Sequence, residues 1–222
     1  MTTKFFRHLA LAVLGLAAAA CASSIPVTFT SNSGSLGGPA QGVYYYPYTL
    51  DVNGGNVTVA CDDYFNEVHL GESWNATENT FANLSGALFY DGGLGVAKYR
   101  EAAWLFTQFQ NPSPLVNNVN AAINFAMWDL FSNGAPGINT SHPGSDTSSS
   151  YWLGLARAQN LSGFDFSQFV FYTPTSGWPA QDGQPQEYVG EVPEPAPFVL
   201  LFSGLAAVVW LDRRRRLSSR CA

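Results

Sequence analysis

Two apolar runs, each beside basic residues, stand at opposite ends of this chain and confine any folded domain to the residues between them. The first runs from Leu9 to Ala20, behind Lys4 and Arg7. A bilayer span needs about 20 such residues, so this stretch is too short to cross comfortably. A charged start, an apolar core and the small residues Ala20-Cys21-Ala22 are the pattern of an export signal cut after Ala22. A second reading, acylation of Cys21, wants a large aliphatic residue three positions earlier, where Ala18 stands. The other run, residues 196–211, follows Val192-Pro193-Glu194-Pro195 and precedes Asp212 and the arginines Arg213, Arg214, Arg215 and Arg216. As a helix it measures roughly 24 Å, slightly less than a hydrocarbon core of about 30 Å, so snorkelling arginines or local thinning would complete the span. The arginines stay on the cytoplasmic side by the positive-inside rule, which leaves the middle of the chain outside the inner membrane.

The middle is acidic. Between Ser23 and Val192 only Lys98, Arg100 and Arg157 oppose fourteen Asp and Glu residues, and the whole chain of 222 residues carries a formal charge of -6. With 14% aromatic and 12% charged residues the chain is too apolar for a disordered protein. The absence of a basic face argues against nucleic-acid binding.

Val192-Pro193-Glu194-Pro195, a short apolar run and a terminal arginine cluster, on a chain with an export signal, resemble the PEP-CTERM sorting signal. The resemblance covers residues 192–216. It implies a Gram-negative bacterium, processing by an exosortase, transient anchoring in the inner membrane through 196–211, and release to the cell surface or extracellular matrix after cutting near the motif. The same kind of tail occurs on some proteins labelled ice-binding; the label belongs to the tail and carries no ice activity. Physically, each proline fixes its own φ and biases its predecessor towards extended structure, so a protease would meet an extended segment.

Between the ends the patterning predicts an α+β fold: a β-hairpin or small antiparallel sheet packed with about three helices, in one domain over residues 41–173. Residues 23–40 are a polar segment, and 174–192 read as a Pro/Gln/Gly linker. Gln41 to Val52 and Val57 to Phe65 read as hairpin strands around the turn signal Asn53-Gly54-Gly55-Asn56. Helical spacing predicts helices over Tyr99 to Gln110, about Leu115 to Phe131, and Ser148 to Leu161. The second half of the middle helix is apolar nearly all round, which marks a buried helix. Phe166 to Thr173 reads as a strand.

Cysteine arithmetic isolates Cys61. Cys21 goes with the export signal and Cys221 follows the arginines, so Cys61 is alone in an exported domain and cannot form an internal disulfide. A buried inert thiol is the plain reading. A nucleophile would want an imidazole, and only His69 and His142 remain, neither in a catalytic motif. Asp62, Asp63 and Glu67 lack the spacing of a calcium loop and read as a solvated acidic edge. No phosphate loop, zinc spacing or serine elbow is present. The six tryptophans and ten tyrosines could stack on sugar rings, although Trp104 and Trp128 fall on core-patterned helices.

Val59-Ala60-Cys61-Asp62-Asp63, followed about 60 residues later by Ile123-Asn124-Phe125-Ala126-Met127-Trp128, resembles the cysteine segment and the Thr-Gln-x-Ala-aliphatic-Trp motif of thioester domains in bacterial surface adhesins. The resemblance covers roughly residues 41–131. It implies a pair, Cys61 with Asn124, at the place of the Cys–Gln thioester. Asn124 replaces the glutamine and reaches about 1.5 Å less, so the crosslink is expected to be absent; Gln108 is the alternative acyl donor. The expectation is a non-enzymatic exported surface or matrix protein, adhesive or structural, with no cofactor and no metal. The alternatives are a glycan-binding module that engages extracellular polysaccharide or a surface ligand, and a cysteine-dependent enzyme or covalent adhesin using Cys61.

Overall fold

The computed structural model describes residues 24–32, 44–110, 117–132, 146–178 and 183–192. Six strands form a closed antiparallel barrel: β1 (Ser24–Asn32), β2 (Tyr48–Val52), β3 (Gly55–Cys61), β4 (Ser73–Asn79), β5 (Phe169–Ser176) and β6 (Tyr188–Glu191). Their order around the barrel is β1-β2-β3-β6-β5-β4, and β4 pairs with β1 to close it. Three helices are inserted between β4 and β5: α1 (Gly93–Phe106), α2 (Asn117–Phe131) and α3 (Ser149–Ala158).

The expected fold class, a hairpin or small sheet with about three helices and one C-terminal transmembrane helix, is therefore corrected. Three helices are present, but the sheet is a six-stranded closed barrel. Its first and last strands come from the segments read as a polar leader (23–40) and a linker (174–192). No described helix is long and apolar enough to cross a membrane. Residues 1–22, with the cleavage position Ala22, lie outside the described residues. So do Pro193, Glu194, Pro195, the run 196–211 and Arg213 to Arg216.

The strands explain themselves by alternation. β2 buries Tyr48, Leu50 and Val52 and leaves Thr49 and Asp51 half-buried. Asn53 and Gly54 both take positive φ, 52° and 88°, the conformation that a two-residue hairpin turn of matching twist requires. The Gly54 N–H donates to Asp51 Oδ1 at 2.7 Å. On β3, β5 and β6 both faces are buried. Val59, Cys61, Val170, Tyr172 and Tyr188 point into the barrel, where they meet Phe29, Leu50 and Trp74. Ala60, Phe169, Phe171 and Val189 face a second core built with the helices. A strand covered on both sides reads as a continuous apolar run, which is why β5 stood out in the sequence. β4, with Trp74 and Ala76 buried among Ser73, Asn75, Thr77 and Glu78, gave almost no signal.

Helix α2 is buried nearly all round because it serves both cores. Ala121, Phe125 and Trp128 join the barrel interior, while Ala122, Ile123, Ala126, Met127 and Leu130 pack in the helical layer. Helix α1 starts at Gly93, six residues before the predicted start, so Gly93 and Gly95 sit in its first turn. At Gly95 an added Cβ would lie 2.8 Å from Asp91 Oδ1 and 2.9 Å from the Phe89 carbonyl oxygen, so a glycine is needed for that approach.

Candidate functional site

Cys61 ends β3 and points into the barrel. Its thiol is buried and donates to the Asp63 carbonyl oxygen at 3.0 Å. Burial first, then the charges of Asp63 and Asp62, push the thiol well above the ordinary range. The Trp128 indole N–H has no oxygen or nitrogen partner and opposes this shift weakly from beside the sulfur. A nucleophilic cysteine needs the reverse, a lowered pKa and access.

Asn124 lies on α2 against the same strand end. Its Nδ2 donates to the Cys61 carbonyl oxygen at 2.9 Å, and its Oδ1 accepts from the Tyr46 N–H at 2.8 Å. The structure thus brings Cys61 and Asn124 together, with the amide engaged at both ends by backbone. One helical turn earlier, Asn120 holds Gln110 in the same manner, accepting from its N–H at 3.0 Å and donating to its carbonyl at 2.9 Å. Two asparagines at i and i+4 share a helix face, and both act here as staples between the helix and neighbouring backbone. Gln108 is engaged elsewhere. Its Nε2 donates to Thr107 Oγ1 at 2.8 Å and to the Trp104 carbonyl at 3.5 Å, at the end of α1.

The acidic residues beside Cys61 divide. Asp63 organises the turn that follows: its Oδ1 accepts from the N–H groups of Phe65 (3.1 Å) and Asn66 (3.4 Å), and its Oδ2 from the Asn66 side-chain amide. Asp62 is fully buried and faces Glu187, which lies just before β6 and opposite it in register; the Asp62 N–H donates to the Glu187 carbonyl at 3.3 Å. Glu187 is also fully buried. It accepts from Tyr99 Oη (2.6 Å), the Leu88 N–H (2.8 Å) and Thr173 Oγ1. Neither Asp62 oxygen has an N–H or O–H donor. Two dry carboxylates so close disfavour each other's ionised form. Asp62, with no donors, is pushed towards the acid form, while the three donors on Glu187 favour its ionised form. Burial first, then the charges of Glu187 and Asp63, raise Asp62 well above the carboxylate range. Burial raises Glu187 too, against the opposing pull of its hydrogen bonds. The reading of Asp62 and Asp63 as a solvated edge is thus corrected. Glu187 was missed because its partners are distant in sequence and it stood in apparent linker. Among the described residues no cluster of His, Cys, Asp and Glu could hold a metal ion.

Along the 64–69 segment the surface opens into a cleft of about 440 Å³, in the size range of small-molecule sites. Its walls include Tyr44, Tyr64, Phe65 and Trp128, and its polar groups are Asn66, Glu67, His69 and Gln186. Phe65 is 64% exposed and Tyr44 37% exposed. Tyr64 packs on Trp128 with ring centroids 5.3 Å apart, and on Phe65 at 5.5 Å in an edge-to-face arrangement. Gln186 fixes the floor by donating to the Asp63 carbonyl at 2.9 Å. His69 sits exposed at the rim, its N–H held by Glu72 Oε2 at 2.9 Å, while Cys61 lies inside the barrel. His142 is outside the described residues. Of the cleft residues 64–69, Tyr64 and Phe65 fell in the stretch Val57 to Phe65 read as strand, whereas β3 ends at Cys61.

No family model matches the chain, and neither the curated proteins nor the solved structures contain a significant match.

Proposed function

We propose that this protein is an exported, non-catalytic surface or matrix protein that works by binding through the aromatic cleft between the 64–69 loop and α2. The observation that carries the reading is the division of labour around β3. Cys61, Asp62 and Glu187 are buried, whereas the cleft presents aromatic rings with the polar side chains Asn66, Glu67, His69 and Gln186. That is the composition of a recognition site. The route to the surface rests on the two ends of the sequence, with an exosortase as processing partner and transient retention at the inner membrane by the tail. The thioester-like pair then survives as a structural staple in an adhesive domain.

Cell fractionation of the native host tests this. The mature chain is expected in the envelope or matrix fraction, with loss of surface attachment when the gene is deleted. Deleting Arg213 to Arg216 should impair retention and processing. Normal processing of that variant, or an unchanged surface phenotype on deletion, would sink the reading.

A further inference from the structure

We infer that the cleft is a saccharide site selective for uncharged pyranose chains; this deepens the binding function proposed above and rests on it. Four observations converge. The first is size and lining: about 440 Å³ lined by aromatic rings and polar side chains together. A pyranose has the matching mixed character, with C–H groups on its faces and hydroxyls along its edges. The second is presentation. Phe65, at 64% exposed, and Tyr44 hold apolar ring surface in water at the mouth of the cleft, a cost that a stacking ligand removes.

The third observation is charge. The lining carries Glu67 but no lysine or arginine, and the sequence between Ser23 and Val192 has only three basic residues. Sulfated or uronic polymers would meet repulsion without a paired cation, whereas hydroxyls can donate to Glu67 and exchange hydrogen bonds with Asn66 and Gln186. The fourth is topology. The barrel is closed, and the strand ends that the short β6 leaves uncovered, Gly55–Thr58 and Thr173–Ser176, do not line the cleft, so the cleft offers no strand edge for an extended peptide to join, the usual route for peptide capture by a sheet. The loop is also fixed before any ligand arrives. Asp63 takes three hydrogen bonds from Phe65 and Asn66, and Gln186 ties the Asp63 carbonyl to the segment before β6. A preformed site loses less entropy on binding.

The test uses the mature protein purified from its host, titrated calorimetrically with neutral cello-, chito- and manno-oligosaccharides and with polygalacturonate and heparin oligomers. At least one neutral series is expected to bind, with the anionic oligomers at least about tenfold weaker. Phe65→Ala should weaken neutral binding about tenfold without lowering the melting temperature, since that ring is mostly in water. Glu67→Lys should narrow the gap between neutral and anionic oligomers. Absence of binding to every neutral series, preference for the anionic oligomers, or binding indifferent to both Phe65→Ala and Tyr44→Ala would overturn the proposal. The two readings fail separately. If no saccharide binds but Phe65→Ala abolishes surface attachment in the host, the binding function stands and the ligand class falls. If saccharides bind but gene deletion changes nothing at the surface, the reverse holds.

Discussion

Asn124 shows how one side chain can tie two backbone segments together. Its amide satisfies Tyr46 and Cys61 backbone groups at once. Asn124→Ala would leave both unpaired in a dry setting, at a cost of about 3 kcal/mol, which lowers Tm by roughly 6–12 °C for a domain of this size; thermal melts monitored by circular dichroism check it. The same geometry predicts a free thiol. The mature chain should show no loss of ammonia by intact mass and no methylamine adduct, and Cys61 should react with thiol reagents only after denaturation. An adduct mapped to Asn124 or Gln108 would convert the protein into a covalent adhesin. The acid pair makes a separate prediction. Asp62 and Glu187 both bind protons more tightly in the folded chain than in the unfolded one. Their contribution is therefore complete below the ordinary carboxyl values of 3.8 and 4.5 and is lost as pH rises through the raised folded values. Urea midpoints should fall from mildly acidic to alkaline pH. Asp62→Asn, which removes one of the two titrating protons, should flatten that slope.

Among the elements, β6 contributes more than its four residues suggest. It pairs with β3 through Val59–Gly190, Ala60–Val189 and Cys61–Tyr188, and with β5 on its other side. Gly190 admits this close packing: a Cβ there would stand 3.0 Å from Val59 Cγ1 and 3.4 Å from the Thr58 carbonyl oxygen. Gly190→Ala should cost about 1–3 kcal/mol through overpacking, read as a lower urea midpoint. A chain ended at residue 182 loses β6 together with Glu187. It strands the edges of β3 and β5 and leaves Asp62 facing no partner, so it should lack a cooperative melt. A chain ended at Val192 should keep one. The hairpin β2–β3 and helix α2 were legible because their signals are local: Asn53-Gly54 between apolar strands, and an apolar run of helical length. β1, β4 and β6 were not, because they are short or polar on one face and are held by partners far along the chain.

At the scale of the whole molecule the barrel brings the first and last described segments into one sheet, as β1 joins β4 and β6 joins β3 and β5. The foldable unit is therefore residues 24–191, wider at both ends than the stretch that patterning marked out. This closure leaves the 64–69 loop and Gln186 on one side of the strand end that carries Cys61, and the acid pair on the other.

Composition and order along the chain were enough to set the acidic, aromatic character of the middle, the lone cysteine, the hairpin turn and the buried helix. These follow from neighbouring residues and from counts, which need no partner in space; Cys61 and Asn124 were raised as a pair only by the resemblance to thioester domains. What the Asn124 amide bonds to, which aromatic rings met water, and what Asp62 faced were decided only by the closed barrel. Each depends on a hydrogen bond or a burial shared by residues 60 to 125 positions apart, and the energy of such a contact exists only once the chain has closed.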